Sequence, residues 1–205
     1  AHRRPRATRR GVGNRHGRPP SFNIILTTSF HPPYTVDLES KGFPEKAIPP
    51  SVSGMPMNDD DMLFLGHFWY ADRCIDRFTR SITASIPKSL VVITADHPGR
   101  RWISKNPDPL EKYLIPCVFY GPDVLKGIRR PSSMAGSHLD IIPTLVELAA
   151  PRGFSYHAVG KDMFNPGSRT MAVGKNLALE PFVLLDMHGR PRPVLLPGSH
   201  QKVTP

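Results

Sequence analysis

The chain has 205 residues, of which 24 are Pro, and a formal charge of +10. That length suits one ordinary domain with a sizeable core and hardly two, and the proline share implies long, irregular loops. The charge invites nucleic acid or another anionic surface, but seven Arg and no acid stand in residues 1–20, so only +3 remains for the rest.

No run of about 18 apolar residues is present, which excludes a transmembrane helix within this sequence, and the N-terminus lacks the apolar centre of a signal peptide. Cys74 and Cys117 belong to no C-x-x-C pair and read as buried small hydrophobes. There are no internal repeats and no Gly loop of the phosphate-binding type.

Residues 1–20 (AHRRPRATRRGVGNRHGRPP) have almost nothing to bury and read as a disordered basic arm. The remainder, 21–205, reads as one domain. Phe22 to Thr28 (FNIILTT) is a first buried strand ending in the loop Ser29-Phe30-His31-Pro32-Pro33-Tyr34, whose prolines fix the backbone that aims His31 and Tyr34. Val36 to Pro56 has no sustained period.

Asn58 with Asp59, Asp60 and Asp61 is a strong helix start, because the Asn caps free N–H groups and the acids face the positive end of the dipole. The helix should run to about Ser85, with Phe64, Phe68, Ala71, Ile75, Phe78 and Ile82 as an apolar stripe packed on a sheet. Asp76 and Arg80 form a solvated i,i+4 pair, and Ile86-Pro87 closes the helix. His67, beside the stripe, reads as core or surface rather than ligand.

Leu90 to Thr94 is an apolar, β-branched run without alternation, the pattern of a strand buried in a parallel sheet. It stops at Asp96-His97, where open α/β sheets place ligands. A hard carboxylate beside an imidazole suits a divalent cation such as Mn²⁺, Mg²⁺ or Zn²⁺; the plainer reading is an Asp capping the next turn beside an exposed His. Leu114 to Tyr120 is another buried strand. Ser132 to His138 feeds a helix from about Leu139 to Ala149, with Pro143 in its first turns. Helix, strand, loop, strand, helix is the grammar of a doubly wound α/β sheet. Met171–Val173, Phe182–Leu185 and Val194–Leu196 form a terminal β meander, with His188-Gly189-Arg190 as a hairpin turn.

Several motifs line up in one order: Phe22-Asn23-Ile24 through His31-Pro32-Pro33-Tyr34, Trp69-Tyr70-Ala71-Asp72, Val92-Ile93-Thr94-Ala95-Asp96-His97, Ile115-Pro116 through Tyr120-Gly121-Pro122, and Gly136-Ser137-His138-Leu139-Asp140-Ile141-Ile142-Pro143-Thr144-Leu145. This order resembles the carboxyl-terminal portion of the sulfatase-like catalytic domain in the alkaline phosphatase superfamily, and most of all its lipoteichoic acid synthase and phosphoglycerol transferase branch, over roughly Phe22 to Phe164. The resemblance implies an alkaline-phosphatase-like sheet sandwiched by helices. It also implies a metal-dependent transferase or hydrolase of phosphate or sulfate esters, in which a divalent ion lowers the nucleophile's pKa and polarises the ester.

By the same resemblance Asp96 and His97 match the family's second pair of metal ligands, holding one divalent ion, Mn²⁺ first, with Mg²⁺, Ca²⁺ or Zn²⁺ as alternatives. His31 matches the loop histidine that contacts the substrate's phosphoglycerol group. Arg100 stands where a guanidinium fork could hold an anionic ester oxygen, or simply face solvent. His138 invites comparison with a third histidine ligand of two-metal relatives, though its place before a helix suits a cap or packing role.

In the family the first metal acid and the nucleophile precede the segment that matches Phe22. Here only the basic arm stands there, with Thr8 its sole hydroxyl. The expectation is a half-site: a fragment without nucleophile, inactive alone. Its partner would be a phosphate or sulfate ester, as a lipid headgroup or glycan, with no specific nucleic acid, and the resemblance implies an extracytoplasmic, membrane-associated setting. The competing expectation is a catalytically dead basic protein that holds anionic glycan, lipid headgroup or nucleic acid.

Overall fold

The computed structural model describes residues 20–45, 57–98, 107, 112–128, 136–165, 172–174, 177–180, 183–186 and 193–195. Residues 1–19 of the basic arm, the Gly99–Arg101 segment and the His188-Gly189-Arg190 turn lie outside them. The chain divides into two compact units, 14–125 and 126–205 with 1–13.

The first unit is built on helix α1, Asp59–Ser85. Its start is the one the acids announced: Asn58 Oδ1 accepts the Asp61 N–H at 2.9 Å, and the Asn58 N–H donates to Asp61 Oδ2 at 3.2 Å. This reciprocal box satisfies two groups that a helix end otherwise leaves open. Ile86 ends the helix, its N–H reaching back to the Ile82 carbonyl at 2.7 Å.

The buried face of α1 is not the aromatic stripe. Gly66, His67 and Thr79 are buried, while Phe68 and Phe78 are 54% and 44% exposed. Gly66 explains part of this, because Leu38 and Phe43 from the preceding loop occupy the space a Cβ would take. Absence of a side chain lets that loop lie directly on the helix. Asp76 and Arg80 do form the expected surface pair, at 2.7 Å with both side chains more than half exposed; such pairs are worth little, about 0.3–0.5 kcal/mol.

Strand β1, Val91–Thr94, pairs with β2, Cys117–Tyr120, in register Val91 with Tyr120 through Thr94 with Cys117. The pairing is antiparallel, where the unalternating apolar run suggests a parallel sheet. A β-branched run fits a pleated surface in either sense, so the run fixes the strand and not its direction. The two described strands form a small sheet whose faces are at most half-buried. Gly121 is buried after β2, and a Cβ there would lie 2.9 Å from the Ser89 carbonyl.

Two further expectations fail in this unit. Phe22 to Thr28 forms no strand; Phe22, Ile24, Ile25 and Leu26 are 63–85% exposed. A strand exists only with a hydrogen-bonded neighbour, and no described strand lies beside this segment. Cys74 and Cys117 are exposed free thiols rather than buried hydrophobes. Cys74 lies on the outer face of α1, and only one described strand, β1, flanks the strand that carries Cys117, too little to bury it.

The second unit contains helix α2, His138–Ala149. The Asp140 carboxylate accepts from both the Ser137 N–H at 2.7 Å and the Ser137 hydroxyl at 3.0 Å, closing the first turn. Pro143 sits inside the helix and is buried. Its missing N–H leaves the Leu139 carbonyl without its intrahelical partner, and the Gly160 backbone comes against that oxygen so closely that no Cβ could fit. Downstream are β3 Ala172–Gly174, β4 Leu177–Glu180, β5 Val183–Asp186 and β6 Pro193–Leu195, an antiparallel meander in sequence order. Three of these match the expected strands within a residue; β4 is additional. No helix among the described residues is long and apolar enough to cross a membrane.

Candidate metal and ester site

Strand β1 delivers Asp96 and His97 two residues past its end. The Asp96 carboxylate caps its own turn, Oδ1 accepting the His97 N–H at 3.0 Å. His97 Nδ1 is 2.7 Å from the Pro98 carbonyl oxygen. A carbonyl can only accept, so Nδ1 carries the proton and Nε2 keeps its lone pair when the ring is neutral. That Nε2 stands 3.6 Å from Asp96 Oδ2, and the two side chains are 55% and 78% exposed.

This donor set fits a divalent ion. Metal-bound histidines commonly donate the other ring N–H to a carbonyl or carboxylate, which fixes the tautomer and aims the ligating nitrogen. Two adjacent ligands each about 2.1 Å from one metal are about 3.0–3.5 Å apart, close to the spacing found. A carboxylate oxygen with an imidazole nitrogen suits Mn²⁺ or Zn²⁺ better than Ca²⁺, which prefers oxygen throughout. Among the described residues no cluster of three or more His, Cys, Asp or Glu forms a metal-holding group. Asp96 and His97 therefore stand as a pair and not as a complete cage among the described residues.

His31 lies in the turn after the exposed apolar segment and repeats the device: its Nδ1 is 2.6 Å from the Pro32 carbonyl, and the residue is exposed. Both histidines precede a proline and bond to that proline's carbonyl. His31 shares no hydrogen bond with Asp96 or His97. Arg100 lies outside the described residues. His138 is the first residue of α2 and is exposed, in keeping with its place at a helix start.

His67 is the functional-looking residue whose role the sequence reading leaves open between core and surface. It is fully buried; Nδ1 donates to the Leu63 carbonyl at 2.8 Å and Nε2 accepts the Val36 N–H at 3.1 Å. Both ring nitrogens are spent inside the protein, which makes it a core histidine. Its partner, a loop N–H 31 positions away in sequence, gives no local pattern to read.

Elsewhere in this unit a cleft of about 360 Å³ opens between the end of α1 and the end of β2, with Arg80, Thr83, Tyr120 and Asp123 among its walls. The Tyr70 hydroxyl has a raised pKa, chiefly through a hydrogen bond with Cys74, and Cys117 has a raised pKa through desolvation by its neighbours. Neither group belongs to the Asp96–His97 pair.

The described residues thus present an exposed carboxylate–imidazole pair past the end of a strand and a second exposed histidine in a proline-bearing turn. The sulfatase family model matches residues 11–151, and the chain belongs to that family. With the family come the alkaline-phosphatase-like α/β fold and the general use of a divalent metal. No curated protein and no solved structure matches the chain.

Proposed function

We propose that the chain carries part of the active site of a metal-dependent phosphate- or sulfate-ester hydrolase or transferase, of the lipoteichoic acid synthase and phosphoglycerol transferase type. The observation that carries the reading is the Asp96–His97 pair, with Nδ1 pinned to Pro98 and Nε2 turned to within 3.6 Å of the carboxylate. Asp96 and His97 hold one divalent ion, Mn²⁺ first. When bound, the ion supplies Lewis-acid polarisation of the ester and lowers the pKa of the attacking group.

The chain's own residues do the rest. Asp96 brings negative charge that offsets the ion, and its hydrogen bond from the His97 N–H fixes the carboxylate plane. His31 meets a phosphate oxygen through Nε2 in its imidazolium form, since the neutral ring with its proton on Nδ1 has none on Nε2 to donate, and that N–H offsets the charge that develops as the ester bond breaks. Arg100 adds a guanidinium fork to the same anion. The remaining ligands and the nucleophile are contributed by groups outside the Asp96–His97 loop. The substrate class is a phosphoglycerol or phosphoethanolamine headgroup, or a sulfated glycan, at an extracytoplasmic membrane surface.

The test is hydrolysis of a chromogenic phosphodiester and of a chromogenic sulfate ester, with Mn²⁺, Mg²⁺, Ca²⁺ or Zn²⁺ and after chelator. Parent and the Asp96→Ala/His97→Ala double variant are compared. Saturable metal binding in the parent and its loss in the variant support the site; turnover that follows the metal adds the activity, and the better substrate names the class. The seven Arg in residues 1–20 favour a second reading, a basic protein that holds polyanions. Binding of a polyanion that collapses with salt and ignores chelator, with no metal uptake, would put that reading first.

A further inference from the structure

The His31 turn is clamped from both sides. On its amino side Phe30 packs against α1, its ring 4.9 Å from Phe64 and 5.3 Å from Phe68. On its carboxyl side the Tyr34 ring lies 4.8 Å from the His67 imidazole, and two residues on, Val36 donates its N–H to His67 Nε2 at 3.1 Å. Between the clamps stand only His31 and two prolines, whose rings fix φ. His67 itself cannot shift, because it is fully buried and its Nδ1 is tied to the Leu63 carbonyl of its own helix. An exposed histidine is thus carried on one of the better-fastened turns of the unit.

A core that needed only apolar filling would place a Leu or Phe at position 67. An imidazole there costs desolvation of two polar atoms, repaid only by partners of the right geometry. What the Val36 bond adds is a fixed height of the loop on the helix, and with it the direction of the His31 ring. We propose that His67 is a positioning residue: through Val36 and Tyr34 it sets the orientation in which His31 meets an anionic ester. The proposal rests on the reading of His31 as the ester contact. It extends that reading to a buried residue which touches no substrate.

The experiment is ¹⁵N-histidine NMR of the full chain as parent, His67→Ala and His67→Gln, alone, with glycerol 1-phosphate, and with Mn²⁺. Gln at position 67 keeps an acceptor near the place of Nε2. In the parent the His31 ring nitrogens report one tautomer, Nδ1–H, held by Pro32. In His67→Ala that preference averages out and the affinity of His31 for glycerol phosphate falls about tenfold, the equivalent of one hydrogen bond. Broadening of His97 by Mn²⁺ is unchanged. His67→Gln restores both His31 signals.

Unchanged His31 nitrogens in a folded His67→Ala, or no recovery in a folded His67→Gln, would overturn the proposal. If His67→Ala does not fold, Tyr34→Leu replaces it, since that change removes the ring contact and leaves the Val36 bond; the same loss is expected. Should glycerol phosphate leave His31 unmoved in the parent, the ester-contact reading fails, and the tautomer signal still decides whether His67 orients the ring.

Discussion

The Thr144 hydroxyl donates to the Asp140 carbonyl at 2.6 Å and accepts the N–H of Met163 at 2.9 Å, with Thr144 fully buried. One hydroxyl therefore closes a helical turn and anchors the turn at Met163, 19 positions later. The Asp140 carboxylate assists, accepting the Lys161 N–H at 2.8 Å. Thr144→Val keeps the shape and leaves the Met163 N–H buried without an acceptor. It should cost about 1–3 kcal/mol, the penalty of an unmade buried hydrogen bond. Thr144→Ser should recover most of this, measured by urea unfolding of the three proteins side by side.

Gly160 and Leu139 give a second constraint on the same turn. Pro143 frees the Leu139 carbonyl, and Gly160 passes so close to that carbonyl that a Cβ on it would collide with the oxygen. Gly160→Ala forces a Cβ into that carbonyl, and the 156–164 segment must move away from α2. A loss of about 1–3 kcal/mol is expected, as for other overpacked sites. Limited proteolysis should show earlier cleavage near Lys161 than in the parent; equal cleavage and equal stability would mean that the segment tolerates the shift.

These contacts explain why parts of the molecule were legible in the sequence and others were not. Helix α1 was readable at both ends because its signals are local: an Asn and three Asp at the start, Ile86-Pro87 at the stop. The same holds for α2 and for three of the four meander strands. Burial was not local. Which face of α1 goes inside was decided by Leu38 and Phe43 lying on Gly66, a contact between residues more than twenty positions apart. The direction of the β1–β2 pairing was likewise a property of the partner. At the candidate site, the Asp96-His97 dipeptide could be picked out because it ends an apolar strand, whereas His67 could not, since its partner Val36 precedes it by 31 positions. Trp69, part of the motif order, turns out to be packing: its ring is 5.4 Å from Phe43 and lies beneath Arg73.

For the proposed metal pair, the geometry predicts unequal roles. His97 Nε2 is aimed by Pro98, while Asp96 supplies charge, so Asp96→Asn retains shape and loses the anion. Loss of a direct ligand should weaken Mn²⁺ at least as much as loss of an outer hydrogen-bond partner, about 10–100-fold. Calorimetric titration of parent, Asp96→Asn and His97→Gln would measure it. Metal at about 100 times its Kd should raise the stability of the parent by about 2.7 kcal/mol, an increment that chelator removes and that both variants lack. An Asp96→Asn protein that binds Mn²⁺ as tightly as the parent would take Asp96 out of the site.

Cys117 offers a pH-dependent check on the β1–β2 sheet. It pairs with Thr94, and although exposed by area its sulfur is desolvated by neighbours, which raises the thiol pKa above the ordinary 9.0. The fold thus favours the neutral thiol. Below the unfolded pKa both states are protonated and the group contributes nothing; as pH climbs past 9.0 the unfolded chain ionises first and the folded state loses stability until the folded pKa is passed. In a Cys74→Ser background, iodoacetamide should therefore react with Cys117 along a curve whose midpoint lies above that of free cysteine. The alkaline loss of stability should disappear in Cys117→Ser. A midpoint at or below that of free cysteine would mean that the β2 end is open to water, and that the Thr94–Cys117 pair frays in solution.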